Sequence, residues 1–210
     1  DAYKMIREKT VPHLGIILHY PTSNDQIPMK ISPSNQMSKG CVLGVIGAGS
    51  FARSILLPEL KKISNISLNT IVTKSGASAN FAQDNFGFNS AATDVDEIMN
   101  NKNINAVLIA TRHDSHAELA IRALSKGKAV LVEKPLGLTK EELNSVKEAR
   151  KNSNSFIQVG FNRRFAPLTL KACDILKKIK GPRFMIFRIN AGNIPTDTWS
   201  NGMYIISLRN

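Results

Sequence analysis

Cysteine is scarce: two in 210 residues, too few for a disulfide framework. Cys41 borders an apolar run and Cys173 falls in a helical stretch. With no CxxC pair and no zinc-type cluster, both read as reduced, packed thiols. Long apolar runs are also missing, none approaching the roughly 18–20 residues that cross a bilayer. The opening DAYKMIREKT lacks the apolar stretch of a secretory signal. A soluble, cytoplasmic globular protein with no membrane partner is the expectation. Acidic residues are outnumbered, 16 against 28 Lys and Arg, for a formal charge of +12. Concentrated on one face, that excess would point to nucleic acid. Here it is spread over helix surfaces such as KKISN and KEARKN, interleaved with Glu, and the aromatics form no base-stacking pattern. Nucleic acid is excluded as a partner, and what remains is a positive field suited to an anionic cofactor or substrate.

At 42% hydrophobic residues, the chain can bury one substantial core and part of a second. Residues 1–40 stand apart: a helical pattern, the strand-like LGIILHY, then a Pro-, Ser- and Asn-rich linker ending near Gly40. From Val42 onward short apolar strands alternate with amphipathic helices. The pattern predicts strands at 42–46, 67–73 and 105–111, in KAVLVEKP and in FIQVG. The first helix is expected over about Ser50–Lys62, kinked or shortened by Pro58. Capping pairs are expected at Asp94 with Glu97, Ser115 with Glu118, and Thr139 with Glu142, and stops at Gly87 and Gly127. Five strands joined by helices imply an α/β, doubly wound parallel sheet of the Rossmann type, because parallel strands need crossovers. Ligands then bind beyond the carboxyl ends of the strands.

After the first strand comes GAGSFA, a G-x-G-x-x-A turn at the mouth of a helix. Gly47 permits the tight turn, Gly49 lets the main chain approach a pyrophosphate, and Ala52 allows helix and strand to close. The free N–H groups at the helix start, around Ser50 and Phe51, face the phosphates. The second strand ends in Thr73, Lys74 and Ser75 rather than an acidic residue. A cation and hydroxyls favour a 2′-phosphate, hence NADP over NAD. After the third strand, TRHDSH places Thr111, Arg112 and His116 on the same cofactor-binding edge. His113 and His116 lack the carboxylate or cysteine company of a metal site, so loop packing and helix capping are expected of them. After the fourth strand, Pro135 restrains Lys134. A lysine held there beside Glu133 can exchange a proton with a substrate hydroxyl while hydride leaves the adjacent carbon.

GVIGAGSFA, VLIATRHDSHAELAIRALSKGKAVLVEKPL and QVGFNRRFAP, in that order, resemble the Gfo/Idh/MocA oxidoreductase family over about residues 41–200. The resemblance implies a nicotinamide-binding Rossmann domain over 41–161 and the beginning of a substrate domain over 162–210. It implies oxidation or reduction of a sugar, cyclitol or related polyol. Lys134 takes the family's active-site lysine, and Glu133 and Arg164 line the cofactor side. Relatives commonly pair through the open sheet of the second domain, which implies a homo-oligomer for a full-length protein. Residues 1–22 are similar to the closing helix and strand of zinc-type alcohol dehydrogenase domains, implying an upstream domain. At the other end the resemblance implies GPRFMIFRINAGNIPTDTW as the first strand and loop of the substrate domain, with Trp199 near the site. The acidic residue and histidine that the family places further on do not follow in SNGMYIISLRN. The alternative expectation is therefore a truncated or catalytically incomplete dinucleotide-binding module.

Overall fold

The short apolar runs expected as strands between Cys41 and Gly160 all form strands in the computed structural model, which describes residues 40–181. The chain divides into two compact units, Asp1–Met37 and Ser38–Asn210, and the described residues belong to the second. The helix, strand and linker expected before Gly40, and the strand, loop and Trp199 expected after Gly181, lie outside them. The strands are β1 (Cys41–Ile46), β2 (Ile66–Val72), β3 (Ser90–Ala92), β4 (Ala106–Ile109), β5 (Ala129–Val132) and β6 (Ile157–Val159). All pair in parallel, in the order β3-β2-β1-β4-β5-β6, the arrangement of the Rossmann fold.

The helices are α1 (residues 50–61), α2 (Gly76–Phe86), α3 (Asp96–Met99), α4 (His116–Ser125), α5 (Lys140–Lys151) and α6 (Pro167–Lys178). Successive strand residues point to opposite faces, and the core divides accordingly. Leu43, Val45 and Leu108 pack with Leu57 of α1 and Ala82 of α2. Ile46, Val107 and Ile109 pack with Ile98 of α3, Ala120 and Leu124 of α4 and Val146 of α5. Helices therefore cover both faces, as the doubly wound reading requires.

Several local expectations hold. Gly87 and Gly127 sit at φ +79° and +70° just past α2 and α4. Thr139 and Glu142 form a complete capping box, with the Glu142 N–H donating to Thr139 Oγ1 at 3.1 Å. Of the Asp94–Glu97 pair only a local contact forms: the side chain of Asp94 accepts from the Asp96 N–H at 2.9 Å, while Val95 stands at the N-cap of α3.

Four expectations are corrected. The sheet has six strands rather than five, because Ser90-Ala91-Ala92 pairs with β2 although it carries no apolar pattern. Thr70, 3% exposed, bonds Ser90 across the pair at 2.9 Å between hydroxyls, a cross-strand tie that local sequence does not announce. Pro58 does not shorten α1, which runs on to Lys61, but it does interrupt it: the turn before it, Ala52–Leu56, widens to a π-turn in which the Leu57 N–H reaches Ala52 O, and the regular α-helix resumes at Leu57. That extra residue accommodates a ring that would clash in a regular α-turn. The Ser115–Glu118 box does not form, because a 3-10 turn (His113–Ser115) runs straight into α4. Ser115 instead donates to Arg112 O at 3.0 Å, and Glu118 reaches Arg122. Finally, Cys173 is exposed, while Cys41 is half-buried and its thiol is pushed up by burial. The expected packing of Cys173 fails because α6 has no buried residue among those described.

Lys128, 4% exposed, opens β5 from inside the fold. Its Nζ donates to Asn101 O and Ile104 O, each at 2.7 Å, tying the connection into β4 to β5. Burial, then the charge of Lys126, pushes its ammonium below the usual lysine range. Lys128→Met keeps the apolar stem and leaves two carbonyls without their donor. Urea unfolding is expected to show a loss of about 2–4 kcal/mol.

Candidate functional site

In a parallel sheet every strand ends on the same edge, and the order reverses between β1 and β4. Gly47 follows β1 at that reversal. Its N–H donates to Val72 O at 2.8 Å, and the Ala110 N–H donates to Ile46 O at 2.8 Å. Gly47 sits at φ +98°, and a Cβ there would lie 2.5 Å from Ala110 O and 2.9 Å from Thr111 N. Only glycine fits. At Gly49 the opposite holds: a Cβ would meet nothing within 4 Å, so the main chain faces open space.

The Arg53 N–H closes the first turn of α1 on Gly49 O at 3.0 Å. The N–H groups of Ser50, Phe51 and Ala52 precede that bond and have no carbonyl a turn earlier to accept them. Ala52, 2% exposed, is packed down onto the core, while Ser50 and Phe51 are exposed. The turn is thus an open row of main-chain donors at a helix mouth, suited to a pyrophosphate.

Past β2, the Thr73 hydroxyl donates to Ser75 O at 2.7 Å and braces the turn. Lys74 is exposed. Ser75 stands at the N-cap of α2 without a side-chain capping bond.

Past β4, the Thr111 and Ser115 hydroxyls meet at 2.7 Å and Arg112 is exposed. The His113 and His116 rings meet edge-on, 5.7 Å between centroids. Burial first, then His116 and Lys134, holds the His113 imidazole below its ordinary value, with Asp114 opposing. His116 lies beneath the loop, 0% exposed. Its Nδ1 is 2.7 Å from Pro135 O and its Nε2 is 3.2 Å from Thr111 O. With no exposed surface and both nitrogens facing carbonyls, His116 departs from the cofactor contact expected of it.

Past β5, the Glu133 N–H donates to Ile109 O at 2.9 Å. Lys134 is exposed, Pro135 is buried, and the bond between them is cis. The Glu133 carboxylate lies over Gly160 beyond β6, where a Cβ would approach Oε1 to 2.7 Å. Gly160 escaped the sequence reading, although a glycine directly after an apolar strand marks close approach. Arg164, in the 3-10 turn Asn162–Phe165, is exposed with its guanidinium 4.8 Å over the Phe165 ring. The contacts therefore link Gly47, Thr111, His116 and the Glu133–Pro135 segment. Lys74 and Ser75 stand at the β2 end of the edge, and Arg164 at the β6 end.

The model of an oxidoreductase family with an NAD-binding Rossmann fold matches residues 42–161. Oxidoreductase P35 of Formosa agariphila is 34% identical over 133 residues, 63% of this chain and 41% of the relative. Inositol 2-dehydrogenase of an Arthrobacter species is 34% identical over 130 residues, 61% of this chain and 39% of the relative. The crystal structure of scyllo-inositol dehydrogenase from Lactobacillus casei, bound to NAD(H) and scyllo-inositol, superposes with a TM-score of 0.63 at 26% identity. It covers 67% of this chain and 42% of that one. The chain spans about two fifths of the length of these relatives.

The two glycines of the turn are expected to behave oppositely on substitution. Gly47→Ala should destabilise the protein by about 2–4 kcal/mol, through the left-handed backbone and the overlap with Ala110. Gly49→Ala should stay within about 0.5 kcal/mol. Chemical denaturation of both variants checks the contrast.

Proposed function

This chain belongs to the Gfo/Idh/MocA oxidoreductase family and carries its NAD-binding Rossmann fold over residues 42–161. We propose that it transfers hydride between a nicotinamide dinucleotide and a hydroxyl or keto carbon of a sugar, cyclitol or similar polyol. The observation that carries this reading is the open donor row at Gly49–Ala52, set at the strand-order reversal on the same edge as Lys134. The inositol dehydrogenases among its relatives support a polyol as the substrate class.

The dinucleotide supplies the hydride acceptor or donor when bound. The N–H groups at the start of α1, from Ser50 to Ala52, would hold its pyrophosphate, because aligned main-chain donors at a helix start bind anions. The open space at Gly49 is what such a group requires. At the β2 end, Lys74 and the Ser75 hydroxyl would meet the adenosine ribose. With no carboxylate among residues 73–75, they suit a 2′-phosphate, so NADP is favoured over NAD. The Lactobacillus casei relative holds NAD(H), which makes this preference a point to measure. Thr111 and Arg112 line the neighbouring loop, Glu133 sits beside Lys134, and Arg164 serves the cofactor side from beyond β6.

Lys134 takes the substrate hydroxyl proton into its amine as the carbon gives up hydride, and returns it when the carbonyl is reduced. Its exposure at the end of β5 leaves Nζ accessible to such a substrate.

The test uses the 210-residue chain with NADP and NAD and a panel of inositols and sugars. Lys134→Ala should lower turnover by about 100-fold or more while the dinucleotide Kd stays unchanged. Unchanged turnover removes Lys134 from the chemistry, and binding without any hydride transfer by the unaltered chain favours a binding module. Lys74→Ala should weaken NADPH binding about tenfold and leave NADH binding alone. A clear preference of the unaltered chain for NADH rejects the 2′-phosphate assignment.

A further inference from the structure

Burying an imidazole completely is costly unless its nitrogens find partners. Those of His116 find two main-chain carbonyls on two different strand-end segments: Thr111 O beyond β4 and Pro135 O beyond β5. The parallel ladder between these strands ends at the pair Ile109 and Val132. It is followed by the bond from the Glu133 N–H to Ile109 O. Past that bond the two segments leave the sheet, and His116 spans them from below. Its own position is set by α4, whose Ala117, Ala120 and Leu124 are buried in the core. A carbonyl only accepts, so the shorter contact, 2.7 Å against 3.2 Å, has the Nδ1–H donating to Pro135 O.

We propose that His116 is a positioning residue for Lys134: by holding the carbonyl of the next residue, it fixes the main chain from which the lysine reaches its substrate. This rests on the reading of Lys134 as the proton-transferring group. A lysine has four rotatable side-chain bonds, so its amine recurs in one place only when its Cα does not wander. A displacement of about 1 Å at a reacting group can lower turnover about 100-fold. The inference also accounts for a histidine at a site where an apolar side chain would fill the same buried space. Packing alone would not call for a ring nitrogen aimed at Pro135 O.

The geometry provides its own controls. An asparagine amide nitrogen occupies the place of Nδ1, a glutamine amide nitrogen that of Nε2, and leucine fills space with neither. His116→Asn, His116→Gln and His116→Leu are made in the full chain. Hydrogen exchange over residues 111–115 and 131–138 needs no turnover, and it is read beside kcat, KM, dinucleotide Kd and the unfolding midpoint. The Leu and Gln variants should exchange about tenfold faster at the amides of 134–138. Their kcat should fall about 100-fold with the dinucleotide Kd unchanged. His116→Asn should recover protection and most of the turnover, whatever its midpoint. Unaltered exchange at 134–138 in the Leu variant overturns the proposal. So does activity that follows the unfolding midpoint across the three variants without rescue by Asn. If the unaltered chain transfers no hydride, the functional reading fails, while exchange still decides whether His116 holds the Lys134 segment.

Discussion

The fit of Gly47 against the end of β4 sets the geometry on which the rest of the edge depends. A main chain that turns at φ +98°, with its α-carbon hydrogen where a Cβ would strike Ala110 O, can leave β1 and enter α1 without pushing β4 away. The two central strands stay paired through Ile46 and Ile109. The first turn of α1 then opens onto the crevice between them. The main-chain donors of that turn and the Thr111 segment become neighbours because of this one close approach. A side chain at Gly47 would separate them before affecting any ligand contact.

Around this point the fold uses buried polar groups as ties. Among the described residues no buried side-chain nitrogen or oxygen lacks a partner, and the buried polar side chains bridge segments distant in sequence. Thr70 secures the edge strand β3 through Ser90. Lys128 holds the connection into β4 from the amino-terminal side of the sheet. His116 joins the segments after β4 and β5 on the carboxyl side. Apolar packing has little directional preference and sets the layers. These hydrogen bonds are directional, and they set where the loops between the layers stand. The strand-end edge proposed to carry the chemistry is therefore held by contacts that take no part in it.

Much of this was legible because it is written at short range. The alternation of apolar strands with helices, the glycine turn and the Thr139–Glu142 cap depend on residues a few positions apart, whose periodicity and hydrogen-bonding capacity can be read directly. The failures share a different cause. Ser90–Ala92 is a strand only because Thr70 lies opposite. Ser115 does not cap through its side chain because the preceding 3-10 turn has already committed its backbone. Pro58 is absorbed by a π-turn whose Ala52 is buried against the sheet. Glu133 comes to rest over Gly160, 27 residues further along the chain.

The order of amino acids was enough to establish a doubly wound sheet, a glycine turn at a helix mouth after β1 and a lysine at the end of β5. Each follows from local pattern combined with the rule that parallel strands end on one edge. Folding in three dimensions decided which of those edge residues touch. It placed His116 beneath the Lys134 segment rather than at the surface, and it gave Gly47 a role in closing the sheet while leaving Gly49 open to a ligand. Such outcomes depend on distances between segments remote in the chain, and a one-dimensional pattern carries no measure of those distances.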